Sequence, residues 1–304
     1  MDIEKKFESG KSSRTYRRID PEYNVDIFLG YNENGQMSMV IAEPGKELSI
    51  RSSKLINASL KRREDGKLSL SFDLVDESYK TMFMLFCRDI IGVCEKAGSN
   101  MAINRASMRW KYWRNLFGFR KPSILDEMSI KGLIGELLLL KDFFIANYDQ
   151  ERGVKSWMGP LLGHKDFEID DTWYEIKSVN EGALQVMISS LEQLDSDVDG
   201  HLVVVSLEKT SPENGLSINV NDLVLQISNM IEDPDVMNLF MERLGNMGFA
   251  FDEEYNNYNY IHKGTEFFSV CDEFPRLKRR DLPTAIGNIK YTLVINAISE
   301  FKER

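Results

Sequence analysis

Cysteine is nearly absent: Cys87, Cys94 and Cys271 are three in 304 residues, odd in number, far apart and without a CxxC pair. That scarcity excludes a disulfide framework and a thiolate zinc site, and a reducing, cytoplasmic interior is expected. Histidine is equally scarce. His201 and His262 have no metal partner at useful spacing, and His164 is expected to be an ordinary loop residue. A long apolar run is also missing. The strongest stretch, Leu137 to Ala146, is interrupted by Lys141 and Asp142 and is too short to cross a bilayer, so no membrane partner is expected. The first residues, MDIEKKFESGKSSRTYRR, are polar and mixed in charge, with no apolar core for a secretory signal. Internal repeats and low-complexity segments are absent as well.

Net positive charge is lacking too. A formal charge of −10 argues against a protein that coats nucleic acid. Its distribution softens that objection. From Lys96 to Leu125 there is no Asp or Glu, while seven basic residues give the segment +7 and leave −17 for the remainder. Local charge, not the total, decides where a phosphate backbone can sit.

What is present reads as two regions. Residues 21–78 alternate between apolar and polar in MSMVI (37–41), LSIRSSKLI (48–56) and KLSLSFDLV (67–75), with turn signals at Asn34-Gly35, Pro44-Gly45 and Asp65-Gly66. A helix is expected at about 78–97, ending at Ala97-Gly98-Ser99. This defines a β-rich amino-terminal domain over 1–98, followed by a second domain over 99–304. The second domain opens with a basic helical stretch at about 102–116. A long helix capped by Ser123 then reaches about Asn147. Short strands HKDFEID and WYEIKSV follow, joined at Asp171-Thr172, with further strands at 184–189 and 201–209, the latter buried on both faces. Helices near 220–232 and 235–247 and β-like sequence at 258–271 and 289–297 complete an α/β arrangement with a mixed sheet flanked by helices.

The chemistry gathers in the hairpin. Residues two apart on a strand share a face, which puts Asp166, Glu168 and Asp170 on one side and Trp173, Glu175 and Lys177 on the same side of the next strand. With Asp171-Thr172 as the turn, Asp166 faces Lys177 and Glu168 faces Glu175. Carboxylates crowded across a ladder repel, and a divalent cation would relieve them. The plainer reading is a solvent-facing edge with ordinary polar alternation. Glu136 shifts the balance. In IKGLIGELLLLKDFF it lies on an apolar stripe, where an unpaired carboxylate costs several kcal/mol and needs a lysine, backbone donors or a metal. Alternatively it sits at the margin of the stripe and reaches water. Gly132 and Gly135 allow that helix to pack close to a sheet.

A glutamate on a helix, then Asp, then Glu-x-Lys on the next strand, resembles the PD-(D/E)XK nuclease superfamily, which includes restriction endonucleases and DNA-repair nucleases. More narrowly, GLIGELLLLKDFF, WMGPLLGHKDFEID, YEIKSV and ISSLEQLD resemble the PD-(D/E)XK family often encoded beside restriction and phage-defence genes. The resemblance covers core motifs at about 130–195. It departs from the pattern at Lys165, where a proline commonly precedes the aspartate.

The resemblance implies a restriction-endonuclease-like fold and roles residue by residue. Asp166 and Glu175, with the Ile176 carbonyl, would bind Mg²⁺, for which Mn²⁺ would substitute. Glu136 would complete the site or orient the attacking water, and Lys177 would position that water and offset charge at the phosphate. Gln193 is a candidate fifth member that would contact DNA or the water. On the other reading Gln193 is exposed, and Ser189 or Ser190 caps a helix.

In the basic helix, Arg105, Arg109, Lys111 and Arg114 interleave with Trp110, Tyr112 and Trp113, which suits phosphate contact and base stacking. The competing reading puts the tryptophans in a core and the arginines in salt bridges. The function implied is Mg²⁺-dependent hydrolysis of DNA phosphodiester bonds in restriction or phage defence. The alternative is a non-catalytic DNA-binding or partner-recruiting subunit. Expected partners are DNA, a second copy of the chain, and a methyltransferase or ATPase.

Overall fold

Two compact units divide the chain, Met1–Pro122 and Ser123–Arg304. The computed structural model describes residues 3–11, 15–20, 23–95, 97–98, 100–116, 124–161 and 163–303. The division therefore falls after the basic helix rather than at 98/99, and that helix belongs with the amino-terminal unit.

In the first unit a helix, α1 (Ile3–Lys11), precedes strands β1 (Tyr16–Arg18), β2 (Asp26–Tyr31), β3 (Met37–Glu43), β4 (Ile56–Arg62) and β5 (Leu68–Leu74). Among the described residues they form an antiparallel sheet in the order β1-β2-β3-β5-β4. Alternation in β5 buries Leu68, Leu70, Phe72 and Leu74 while the intervening residues stay half-buried, as period two dictates. Two helices follow, α2 (Lys80–Glu95) and α3 (Ala102–Leu116). Phe72, Phe86 and Trp110 meet with ring centroids 5.0–5.6 Å apart.

The expected strand at 48–56 does not form, and the chain enters β4 only at Ile56. Local side-chain bonding explains this. Ser53 Oγ accepts from the amides of Leu55 and Ile56 at 3.3 and 3.0 Å, and Ser52 Oγ accepts from Ala58 N at 3.0 Å. These hydroxyls bend the backbone where alternation alone suggested an extended run.

In the second unit, α4 (Glu127–Leu139) is capped by Asp126, whose Oδ1 accepts from Ser129 N at 2.7 Å. The expected cap, Ser123, lies outside the described residues. α4 widens into a π-helical turn at Leu140–Ile145 and is followed by α5 (Gln150–Ser156). Strands β6 (Phe167–Ile169), β7 (Thr172–Asn180), β8 (Gln185–Ile188) and β9 (Gly200–Thr210) come next. Helices α6 (Val220–Met230) and α7 (Pro234–Asn246) precede strands β10 (Asn259–Val270) and β11 (Tyr291–Val294).

The main sheet runs β10-β9-β7-β6, with β7 and β9 parallel and the other pairs antiparallel, while β8 leaves it to pair with β11. Leu202 to Val205 are buried on both faces, as the centre of a covered sheet requires. α4 packs on one face of β7 with α6 beside it. The other face carries an apolar cluster that includes Trp173, Ile188, Val204, Phe268 and Leu293.

The β6–β7 hairpin differs from expectation by two residues in register. Glu168 pairs with Trp173 and Ile169 with Thr172, so the turn is Asp170-Asp171. Both turn residues have positive φ, 51° and 61°. Aspartate tolerates that left-handed conformation, which a hairpin turn of primed type demands, whereas β-branched threonine resists it. A shift of two preserves which residues share a face. Asp166 consequently lies across from Glu175 instead of Lys177, and Glu168 is exposed opposite Trp173.

Candidate active site

β6 is short, and where it ends the edge of β7 is left open. Asp166, immediately before β6, donates its amide to Tyr174 O at 3.2 Å, and its carboxylate Oδ2 accepts from Ile176 N at 2.7 Å. The side chain thus takes the place of the next ladder bond. N–H and C=O of one antiparallel residue face the same side, so the Ile176 carbonyl lies on this same edge. The carbonyl of Asp166 accepts in turn from Met158 N at 2.7 Å and Gly159 N at 3.0 Å. Asp166 is therefore held from both sides.

Glu175 and Lys177 stand on the face that Asp166 joins. Lys177 Nζ donates to Glu175 Oε1 at 2.7 Å and to Gln193 Oε1 at 2.9 Å. Gln193 Oε1 also accepts from Ser189 N at 2.7 Å. Gln193 is therefore turned inward onto Lys177, and of the two readings of this residue the exposed one does not hold. Ser190 occupies the cap position of the short 3-10 turn Leu191–Gln193 without a side-chain capping bond.

Glu136 approaches from α4. The helix can come this close because Gly135 lacks a side chain: a Cβ there would lie 2.0 Å from Ser178 Oγ of β7. Gly132, expected to serve likewise, faces open space. Glu136 is buried, and its Oε2 accepts from Trp157 Nε1 at 2.6 Å, so it does not reach water from the margin of the stripe. A Cβ built on Gly159 would meet Glu136 Oε2 at 3.0 Å and Asp166 Oδ1 at 3.5 Å, which places both carboxylates around one backbone position. Trp157 is itself fixed from behind by Arg243 of α7, whose guanidinium donates to the carbonyls of Val154 and Trp157.

Burial raises the proton affinity of all three carboxyl groups, and repulsion from Asp166 adds to it at Glu136 and Glu175. Desolvation, then the nearby Asp166 charge, lifts Glu136 well above the usual carboxylate range. The same two causes push Glu175 up to about 8. Asp166 is raised by burial, against the pull of its bond from Ile176. Such a set is costly to ionise without a compensating cation. Its donors are all hard oxygens, the kind Mg²⁺ takes. Even so, among the described residues no three His, Cys, Asp or Glu side chains close on one centre as a ready metal cage. Asp166 Oδ2, Glu175 Oε1 and Glu136 Oε2 are each engaged by a protein donor instead. The donor set fits a divalent cation chemically.

Residues 4–296 match the family described as "Putative PD-(D/E)XK family member, (DUF4420)". The chain belongs to this family. The helices and mixed sheet of the second unit agree with a PD-(D/E)XK-like fold, and membership points to a nuclease. No curated protein matches the chain, and no solved structure does. Among the described residues no helix is long and apolar enough to cross a membrane.

The basic helix needs correction within this family picture. Arg109 is buried in α3, forming a two-pronged ion pair with Asp89 at 2.7 Å per contact, and Trp113 Nε1 donates to the same carboxylate at 2.6 Å. A guanidinium so enclosed cannot reach a phosphate. Trp110 and Trp113 are core, whereas Arg105 and Lys111 are exposed and Arg114 is half-buried.

Sequence reasoning also overlooked Lys165, Trp157 and Arg243. Lys165, noted only for standing where a proline is common, is buried. Its ammonium donates to the carbonyls of Glu192, Gln193 and Asp195 at 2.7, 2.8 and 3.2 Å. Desolvation lowers its pKa to about 8. A lysine flanked by His and Asp carries no pattern that would have announced this.

Proposed function

We propose that the chain is a Mg²⁺-dependent endonuclease that hydrolyses DNA phosphodiester bonds, in restriction or phage defence. What carries this reading is the convergence of Glu136, Asp166, Glu175 and Lys177 at the open edge of β7, in a chain whose family is nuclease-like. Asp166, Glu175 and the Ile176 carbonyl would hold the cation, with Glu136 completing the set. When bound, the cation neutralises the phosphate and supplies an activated water at neutral pH.

The protein's own groups do the rest. Two of the three donors on Lys177 Nζ are spent on Glu175 and Gln193. The third is left to orient the attacking water or to offset charge growing on a phosphate oxygen. Gln193, with its oxygen accepting from both Lys177 and Ser189, would contact DNA or the water through its amide nitrogen. Trp157 holds Glu136 in place. In this reading the protein acts in the cytoplasm on DNA, as a pair of copies when both strands are cut and alongside a methyltransferase or ATPase.

The test incubates plasmid and phage DNA with the protein in Mg²⁺, Mn²⁺ or Ca²⁺. Cleavage is expected with the first two ions. Ca²⁺ should bind by calorimetry without supporting cleavage. Asp166→Asn and Lys177→Ala should each lose at least ~10²-fold in rate, the scale of removing one group that stabilises transition-state charge. If wild type and both variants behave alike at several concentrations, the chain is not this nuclease, and the non-catalytic reading takes its place.

A further inference from the structure

Gln193 touches Lys177, yet it stands on a short 3-10 turn, Leu191–Gln193, which has little hydrogen bonding of its own. Something must hold that turn against the sheet. Lys165 does so from beneath. Its ammonium is bonded to three carbonyls of the turn and its exit, Glu192, Gln193 and Asp195, and it lies 3.8 Å from the centroid of the Trp173 ring. Three carbonyls converging on one ammonium exhaust its three donors, so Lys165 has none left for substrate. Arg276 Nη1 braces the same segment by donating to Leu194 O at 2.8 Å.

Placement makes the connection mechanical. Lys165 is the residue before Asp166, whose backbone is pinned by Tyr174, Met158 and Gly159. One rigid stretch therefore sets the carboxylate of Asp166 on the β7 edge and, through Lys165, the height of the Gln193 turn above Lys177. We propose that Lys165 is a positioning residue: a buried clamp that couples the Asp166 edge to the Gln193 turn and thereby fixes Lys177 for the reaction. The inference rests on the nuclease reading only for its consequence in rate. The clamp itself is a structural claim that can be read without activity.

The experiment uses the full chain and the variants Lys165→Met, Gln193→Ala and the double variant. Amide hydrogen exchange is measured with no metal or DNA present. In Lys165→Met the Ser189 amide, which donates to Gln193 Oε1, should lose protection by ~10-fold or more, the equivalent of one hydrogen bond of roughly 1.4 kcal/mol. Amides of β9 should keep theirs. In single-turnover cleavage of plasmid DNA, Lys165→Met should cost up to ~10²-fold in the chemical rate with little change in KM, as a small misplacement does. It should cost almost nothing more in the Gln193→Ala background. Lys165→Arg, which retains a cation, should recover part of the rate.

Unchanged exchange at Ser189, or a loss of equal size with and without Gln193, would overturn the clamp. Should Lys165→Met not fold, Lys165→Gln, which keeps a donor for part of the carbonyl set, is scored by the same two criteria. A wild type that cuts nothing in any metal defeats the nuclease reading, while the exchange result still decides the clamp.

Discussion

The indole of Trp157 donates to the carboxylate of Glu136 at 2.6 Å, and both side chains are buried. A residue of the connection after α5 thereby fixes the one carboxylate that must reach the site from a helix instead of from the sheet. The chain of support continues to Arg243, which holds the Trp157 carbonyl. Trp157→Phe keeps one aromatic ring but removes the N–H donor together with the five-membered ring of the indole, which is fully buried. The unpaired buried acceptor and the void together should cost about 2–4 kcal/mol, and the change should lower DNA cleavage while leaving DNA affinity near wild type. Thermal melting and single-turnover rates measure the two effects separately.

Protonation of the carboxylate cluster sets a second expectation. Burial and the Asp166 charge raise Glu175 from 4.5 in its free form to about 8. A carboxyl group whose folded pKa exceeds its unfolded value contributes stability at low pH and loses it as pH rises through the folded value. In a chelator, the melting temperature should therefore fall by several degrees between about pH 4.5 and 8. Mg²⁺ should offset the fall at the upper end by binding the ionised form. Glu175→Gln should flatten the profile. A chelated wild type equally stable across that range would contradict the assignment.

The arginines of α3 divide into two kinds, and substitutions should separate them. Arg109→Met leaves Asp89 buried without its cation, which should cost about 3–5 kcal/mol. Arg105→Ala and Lys111→Ala, both at exposed positions, should leave stability within about 0.5 kcal/mol of wild type. If α3 contacts DNA, each should reduce the slope of log affinity against log salt by about 1. Denaturant melts and salt titrations of DNA binding distinguish these outcomes. Unaltered slopes would exclude α3 as a phosphate-contacting surface.

The two glycines of α4 should respond differently to alanine. Gly132 faces open space, so Gly132→Ala should gain up to ~1 kcal/mol from helix propensity. At Gly135 the new methyl would overlap Ser178 Oγ, which is buried and without a hydrogen-bond partner among the described residues. Gly135→Ala alone should therefore not show that gain. Combined with Ser178→Ala it should recover it, since the next nearest atoms lie at ordinary contact distances of 3.4 and 3.5 Å. Urea denaturation of these three variants, with Ser178→Ala alone as the reference for the double variant, tests this.

Much of the fold was legible because periodicity reports burial. The alternation of KLSLSFDLV, the doubly buried run of β9 and the helix at 102–116 follow from which faces meet apolar neighbours. The run at 48–56 misled for a local reason, since Ser52 and Ser53 bond their own backbone and bend the chain. The hairpin register slipped by two because turn position depends on which residues accept positive φ, and Asp170-Asp171 do so better than Asp171-Thr172. That error left the site intact, since faces repeat every two residues.

By itself the sequence determined the chemical kind of each group: carboxylates at 136, 166 and 175, a lysine at 177 and an amide at 193, with strand period putting 166, 175 and 177 on one face. Tertiary structure alone decided their partners. Whether Arg109 meets a phosphate or Asp89, whether Gln193 faces solvent or Lys177, and what Lys165 is for all depend on segments distant in the chain. A side chain's chemistry is encoded locally, but its burial and its hydrogen-bond partner are set by whatever the rest of the chain folds against it.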